Sequence, residues 1–88
     1  MGLPTKKFEC PCCGYFTLSE QPPGTFEICP VCYWEDDSVQ YNDPNYEGGA
    51  NKVSLNKARE NFINLGAIGK EYVAQVRPPL DEEKRANQ

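Results

Sequence analysis

Two Cys-Pro-x-Cys segments separated by fifteen residues, a chain of only 88 residues, and one amphipathic segment after Ser54 together predict a small α+β, metal-stabilised domain. The expected architecture is a β-hairpin, or three short strands, carrying two cysteine knuckles, with a C-terminal helix docked on it. A chain this short buries a modest fraction of its surface and often needs a staple such as a metal. Its 39% apolar and 25% charged residues place it among globular rather than disordered chains. Eight prolines and seven glycines predict a loop-rich fold with few long elements.

The knuckles carry the strongest signal. Cys10 and Cys13 enclose two residues, as do Cys29 and Cys32, and this C-x2-C-x15-C-x2-C pattern has the spacing of a four-cysteine zinc site. There are five cysteines, so one is spare. In "CPCCG" the proline fixes φ after the first ligand, and the closing glycine can take positive φ. That turn aims its first and fourth side chains at one point, which selects Cys10 and Cys13 and leaves Cys12 out. The second knuckle, "CPVCY", has Tyr33 where glycine is ideal, which predicts a looser turn or a different bend there. The metal ligands expected are therefore Cys10, Cys13, Cys29 and Cys32, holding one Zn2+ per chain. Zinc is preferred to iron by general affinity order.

The flanks of the knuckles supply the strands. Phe8, Tyr15, Phe16, Thr17 and Leu18 have strand propensity and predict a hairpin with the first knuckle at its tip. "QPPGT" is a turn, and "FEIC" brings a third short strand to the second knuckle. That is a zinc ribbon in outline. Trp34 is expected in the core. The segment from Tyr33 to Asn51, rich in Gly, Asn and Asp, reads as an irregular loop with one helical turn near Glu35 to Val39. Its acidic trio Glu35, Asp36 and Asp37 lacks calcium-loop spacing and reads as a solvated face.

The helix spans 55–65. Ser54 is its N-cap, Gly66 follows its last turn, and Leu55, Ala58, Phe62 and Leu65 form one apolar stripe. Lys57, Glu60, Asn61 and Asn64 lie off the stripe and are expected to face water. "KEYVAQV" reads as a short helix, with Tyr72, Val73 and Val76 on one side, or a strand, and helix is preferred. Residues 1–79 are expected to form a single domain, and 80–88 a disordered charged tail.

Several function classes are disfavoured. The chain has no histidine, which removes the commonest general base and nitrogen ligand. No nucleophile–base pair is visible, so an enzyme is not expected. The formal net charge is −4, and four thiolates around one divalent cation would make it more negative. Strong nucleic-acid binding is therefore not expected, because it needs a basic patch that displaces counterions. No apolar run has signal-peptide or membrane-spanning length, and paired cysteines in such a chain suit a reducing compartment, so a cytoplasmic location is expected.

"CPCCGY", "PPGTFEICPVCYWEDD", "GGANKVSLNKARENF" and "GA", in that order, resemble the bacterial cysteine-rich CPCC family over roughly residues 8 to 79. The resemblance implies a metal-binding domain, cysteine ligation at the same four positions and no established activity. The expected role is a structural zinc domain that interacts with another protein. Two C-P-x-C knuckles are also similar to rubredoxin, so an iron electron carrier is the alternative, and a nucleic-acid-binding zinc ribbon a weaker one. Partner identity and oligomeric state are not legible.

Overall fold

The structure, a computed structural model, describes residues 7–84. Strand β1 (Phe8–Glu9) pairs antiparallel with β2 (Phe16–Leu18), with Phe8 opposite Leu18 and Glu9 opposite Phe16, and the register slips between the two pairs. Pairing continues to the knuckle, where the Cys10 N–H donates to the Tyr15 carbonyl at 2.9 Å. The first knuckle thus sits at the tip of a two-stranded hairpin. The third extended segment does not join this sheet. Ile28 forms a bridge with Glu35, and the Cys29 N–H donates to the Trp34 carbonyl at 2.9 Å. The second knuckle reverses the chain, so the residues that leave it are the nearest partners for those that enter it.

The loop after the second knuckle is built around buried polar groups. Helix α1 (Ser38–Asn42) begins later than the turn expected near Glu35, because Asp37 is its N-cap. Asp37 Oδ1 accepts from the Val39 and Gln40 amides, and Oδ2 accepts from the Ala50 amide at 2.8 Å. Burial alone pushes the Asp37 carboxyl up, but these backbone donors together hold it below the usual range. Asp36 is fully buried and accepts from the Thr25 amide and hydroxyl. The acidic run is therefore not the solvated face that its composition suggested. Two of its three carboxylates take up backbone donors that an irregular loop cannot satisfy within itself.

Gln40 closes the loop. Fully buried, its amide donates to the carbonyls of Tyr46 and Val53 and accepts from the amide and side chain of Asn51. Asn51 in turn accepts from Glu35 N–H and donates to the Glu35 carbonyl, both at 2.8 Å, pairing with that residue as a neighbouring strand would. Gly49 lies directly against this network. A Cβ there would sit 2.6 Å from Gln40 Cγ and Cδ and 2.8 Å from Asp37 Oδ2. Since Gln40 is held by its bonds, Gly49→Ala is expected to cost about 1–3 kcal/mol, or a fall of about 5–20 °C in thermal midpoint. Gly48→Ala is the control, because the ring that it would meet belongs to the exposed Tyr46, which can swing aside. Equal midpoints for the two variants in a thermal melt would show that the Gln40 network is not rigid.

Helix α2 spans Leu55–Leu65, with the Ser54 hydroxyl accepting from the Lys57 amide and Gly66 in the left-handed region at φ 83°. Leu55 and Ala58 are buried and Phe62 packs against the core, as the stripe predicts, whereas Leu65 is exposed. Asn61 differs from expectation. It is half-buried, and its Nδ2 donates to the Ile68 carbonyl, fixing the chain after the helix. From there Ile68 N–H donates to the Cys32 carbonyl and Arg77 N–H to the Pro30 carbonyl, so residues 66–77 wrap the second knuckle. Lys70–Gln75 form a 3-10 helix, tighter than the ordinary helical turn expected.

The expectation of a disordered tail over 80–88 is corrected for 80–84, while 85–88 lie outside the described residues, as do 1–6 of the predicted domain. Asp81–Glu83 form a 3-10 turn, and Glu83 is buried. Arg77 grips both Glu83 oxygens at 2.9 and 2.8 Å, and the Leu80 amide donates to Oε1. The Arg77 guanidinium holds the Glu83 carboxyl below the usual range despite burial. A charged composition reads as solvated only while the partner within the chain goes unrecognised.

Candidate metal centre

The knuckles are two copies of one turn. In the first, Gly14 N–H donates to the Cys10 carbonyl at 2.9 Å with Gly14 at φ 80°. In the second, Tyr33 N–H donates to the Cys29 carbonyl at 2.8 Å with Tyr33 at φ 76°. The second turn is therefore not looser, and tyrosine accepts the conformation that glycine accepts in the first. Its ring stacks on Tyr72, with centroids 4.8 Å apart and planes 19° from parallel. That contact offsets the unfavourable φ and ties the 3-10 helix to the knuckle.

The repeated turn brings the Sγ atoms of Cys10, Cys13, Cys29 and Cys32 to within 4.8 Å of one another. Cys10 Sγ lies 3.6 Å from Cys32 Sγ, and Cys13 Sγ lies 3.7 Å from Cys29 Sγ. A tetrahedral ion with metal–sulfur bonds of about 2.3 Å separates its ligands by about 3.8 Å, so these spacings fit such an ion. Cys10, Cys29 and Cys32 are buried and Cys13 half-buried. Cys12 is buried in the core but is not one of the four clustered thiols.

The surroundings favour negative sulfur at one position first. Cys29 lies well below the usual thiol range because the Cys10 thiol donates to it, followed by those of Cys13 and Cys32, and Thr17 Oγ1 lies 3.0 Å away. Val31 N–H also donates to Cys29 Sγ at 3.4 Å. Cys13 and Cys32 are pushed up, first by their hydrogen bonds with Cys10 and further by burial. Four thiolates this close require a cation between them.

Spacing did not reveal Thr17 or the Tyr33–Tyr72 stack. The strand propensity of Thr17 was visible, but its approach to Cys29 depends on how the hairpin folds over the second knuckle.

A compact two-stranded hairpin, a few helices and four clustered cysteines define a small domain fitted to bind a metal ion. The model of the family described as "Cysteine-rich CPCC" matches residues 8–83, nearly the whole chain, and the protein belongs to that family. The match runs through the Arg77–Glu83 clasp, beyond residue 79. No curated protein matches the chain significantly. Among the described residues, no helix is long and apolar enough to cross a membrane.

Proposed function

We propose that this chain is a structural zinc domain that docks onto another protein, with no catalytic activity of its own. The observation that carries this reading is the closed donor set. Four thiols within 4.8 Å of one another, three of them buried, can take up all four positions of a tetrahedral ion and so leave no ligand position for a substrate or an activated water. Rubredoxin-like iron binding is the second reading, since the same donor set suits iron, and metal analysis with visible absorption separates the two. The acidic balance argues against duplex nucleic acid, and a reducing, cytoplasmic location suits free thiolate ligands.

Tyr41 and Tyr46 offer a docking face. Both are exposed, at 40% and 42%, so neither is needed to fill the core. Tyr41 lines an open cleft of about 660 Å³ with Phe8, Phe16 and Arg59 beside the first knuckle. Aromatic anchors with a polar rim are typical of interfaces. Tyr41→Ala and Tyr46→Ala are expected to abolish capture of the partner from the native host while leaving metal content and thermal midpoint nearly unchanged. The check is a pull-down with metal content measured on the same preparation. Variants that unfold, or that capture the partner normally, would place the interface elsewhere.

A further inference from the structure

Phe26 occupies a backbone position that glycine normally takes. Its φ is +60°, and its side chain is 60% exposed. The pairing around it explains the conformation. Phe26 N–H donates to the Asp36 carbonyl, and Asp36 N–H donates to the Glu27 carbonyl, both at 3.0 Å, so two residues on one side face a single residue on the other. That is a β-bulge of the kind whose first residue is usually a left-handed glycine. Neighbouring bonds clamp it. The Thr25 amide and hydroxyl donate to Asp36 Oδ2, Glu27 N–H donates to Thr25 Oγ1, and the Glu27 carboxylate accepts from the Ser19 amide and hydroxyl. An exposed phenylalanine held in a disfavoured conformation brings little to the core, and such outliers collect at working surfaces.

The adjoining backbone carries unpaired groups at Ile28, two residues before Pro30, whose carbonyl accepts from the Arg77 N–H. Ile28 and Glu35 form a bridge flanked by the bonds Cys29 N–H to Trp34 carbonyl and Asp36 N–H to Glu27 carbonyl. In this antiparallel pattern the N–H and carbonyl of Ile28 point away from Glu35. Neither has a hydrogen-bond partner among the described residues. The opposite edge of the same small hairpin is closed, because the Asn51 side chain satisfies both Glu35 backbone groups. One edge is therefore sealed by a side-chain amide, and the other presents a free donor and acceptor between two exposed apolar side chains, Phe26 at 60% and Ile28 at 45%. Proteins usually blunt such an edge with lysine, proline or a cover.

We propose that the Phe26–Ile28 edge is a docking site for an extended strand of a partner protein, added edge-on, with apolar residues at alternate positions and basic residues between them. The free Ile28 groups supply the main-chain bonds and the two apolar side chains supply the contact. The basic character follows from the net charge of −4 and from Glu35, which faces the same side of the bridge as Ile28. This rests on the interaction reading above and adds to it a second surface and the chemistry of its occupant.

The probe is a labelled peptide of about eight residues alternating valine and lysine, titrated into the metal-loaded full chain by anisotropy. The control is the same peptide N-methylated on alternate amides, which cannot pair along an edge. Saturable binding of the plain peptide is expected, with protection of the Ile28 amide from exchange. Both the N-methylated peptide and Phe26→Gly should weaken binding about tenfold or more. Phe26→Gly should at the same time match or exceed the wild-type thermal midpoint, because it relieves the backbone. A lowered midpoint would make Phe26 a structural residue and overturn the proposal, as would equal binding of the two peptides. A concentration-dependent dimer that Phe26→Gly abolishes would overturn it in favour of a second copy of this chain. Host-partner capture that Tyr41→Ala abolishes but Phe26→Gly leaves intact would sink the edge while leaving the interaction reading standing.

Discussion

Removing the metal from the reduced protein with a strong chelator at neutral pH is expected to collapse its dispersed amide spectrum. Three of the ten buried members of the hydrophobic cluster, Cys10, Cys29 and Cys32, belong to the four-cysteine cluster, so that cluster is part of the core. The only sheet among the described residues pairs two residues with three, and such a hairpin does not hold by itself. Structural zinc contributes about 10–16 kcal/mol in small peptides, as much as or more than the roughly 5–15 kcal/mol net stability of a typical domain. Without the cation the packed sulfurs revert to thiols, and the hairpin, the second knuckle and the wrapping 66–77 segment lose their common anchor. Acid should act in the same direction, since protons compete with the metal for the thiolates.

The carboxylates make a separate contribution to the acid response. Asp37 and Glu83 both have folded values below their ordinary ones, so their stabilisation is fully present above about pH 4.5 and is lost as pH falls through the folded values. Unfolding accompanied by metal release above that range therefore belongs to the thiols. A chelated, reduced sample that kept its dispersed spectrum would show that packing alone suffices.

Much of the cysteine cluster was legible because its determinants are local. The two-residue spacing, the proline and the closing glycine act within five residues, and the same holds for the Ser54 and Gly66 caps of α2. What escaped notice depends on distant partners. Asp36 and Asp37 look like surface acids until the backbone donors of Thr25 and Ala50 arrive beside them. Glu83 looks like part of a solvated tail until Arg77 meets it. Tyr33 looks wrong for its turn because the compensating ring, Tyr72, lies far along the chain. The third extended segment was visible from "FEIC", but its partner was not, since strand propensity does not say which neighbour closes the pair.

Cys12→Ser and Cys13→Ser, neighbours in sequence, are expected to behave in opposite ways. The Cys13 sulfur lies 3.7 Å from that of Cys29 inside the cluster, so replacing it removes one of four thiolate donors and leaves a weaker oxygen donor in its place. Cobalt-substituted Cys13→Ser should lose most of its tetrahedral thiolate–metal absorption, and the protein should melt far below the wild type or fail to fold. Cys12 occupies the free position of the same turn, buried at 8% exposure but outside the four clustered sulfurs. Its serine variant should keep the full absorption. The cost should be confined to exchanging a buried thiol, a hydrogen-bonding neighbour of Cys32, for a more polar hydroxyl, about 1–3 kcal/mol. The contrast follows from the turn itself, because the bond from Gly14 N–H to the Cys10 carbonyl fixes which residue is fourth in the knuckle. If Cys12 were the ligand, the glycine would fall one place late, and Cys13 would point away from Cys29. Equal loss of the cobalt signal in both variants would therefore remove Cys13 from the site and, with it, the turn that defines the knuckle.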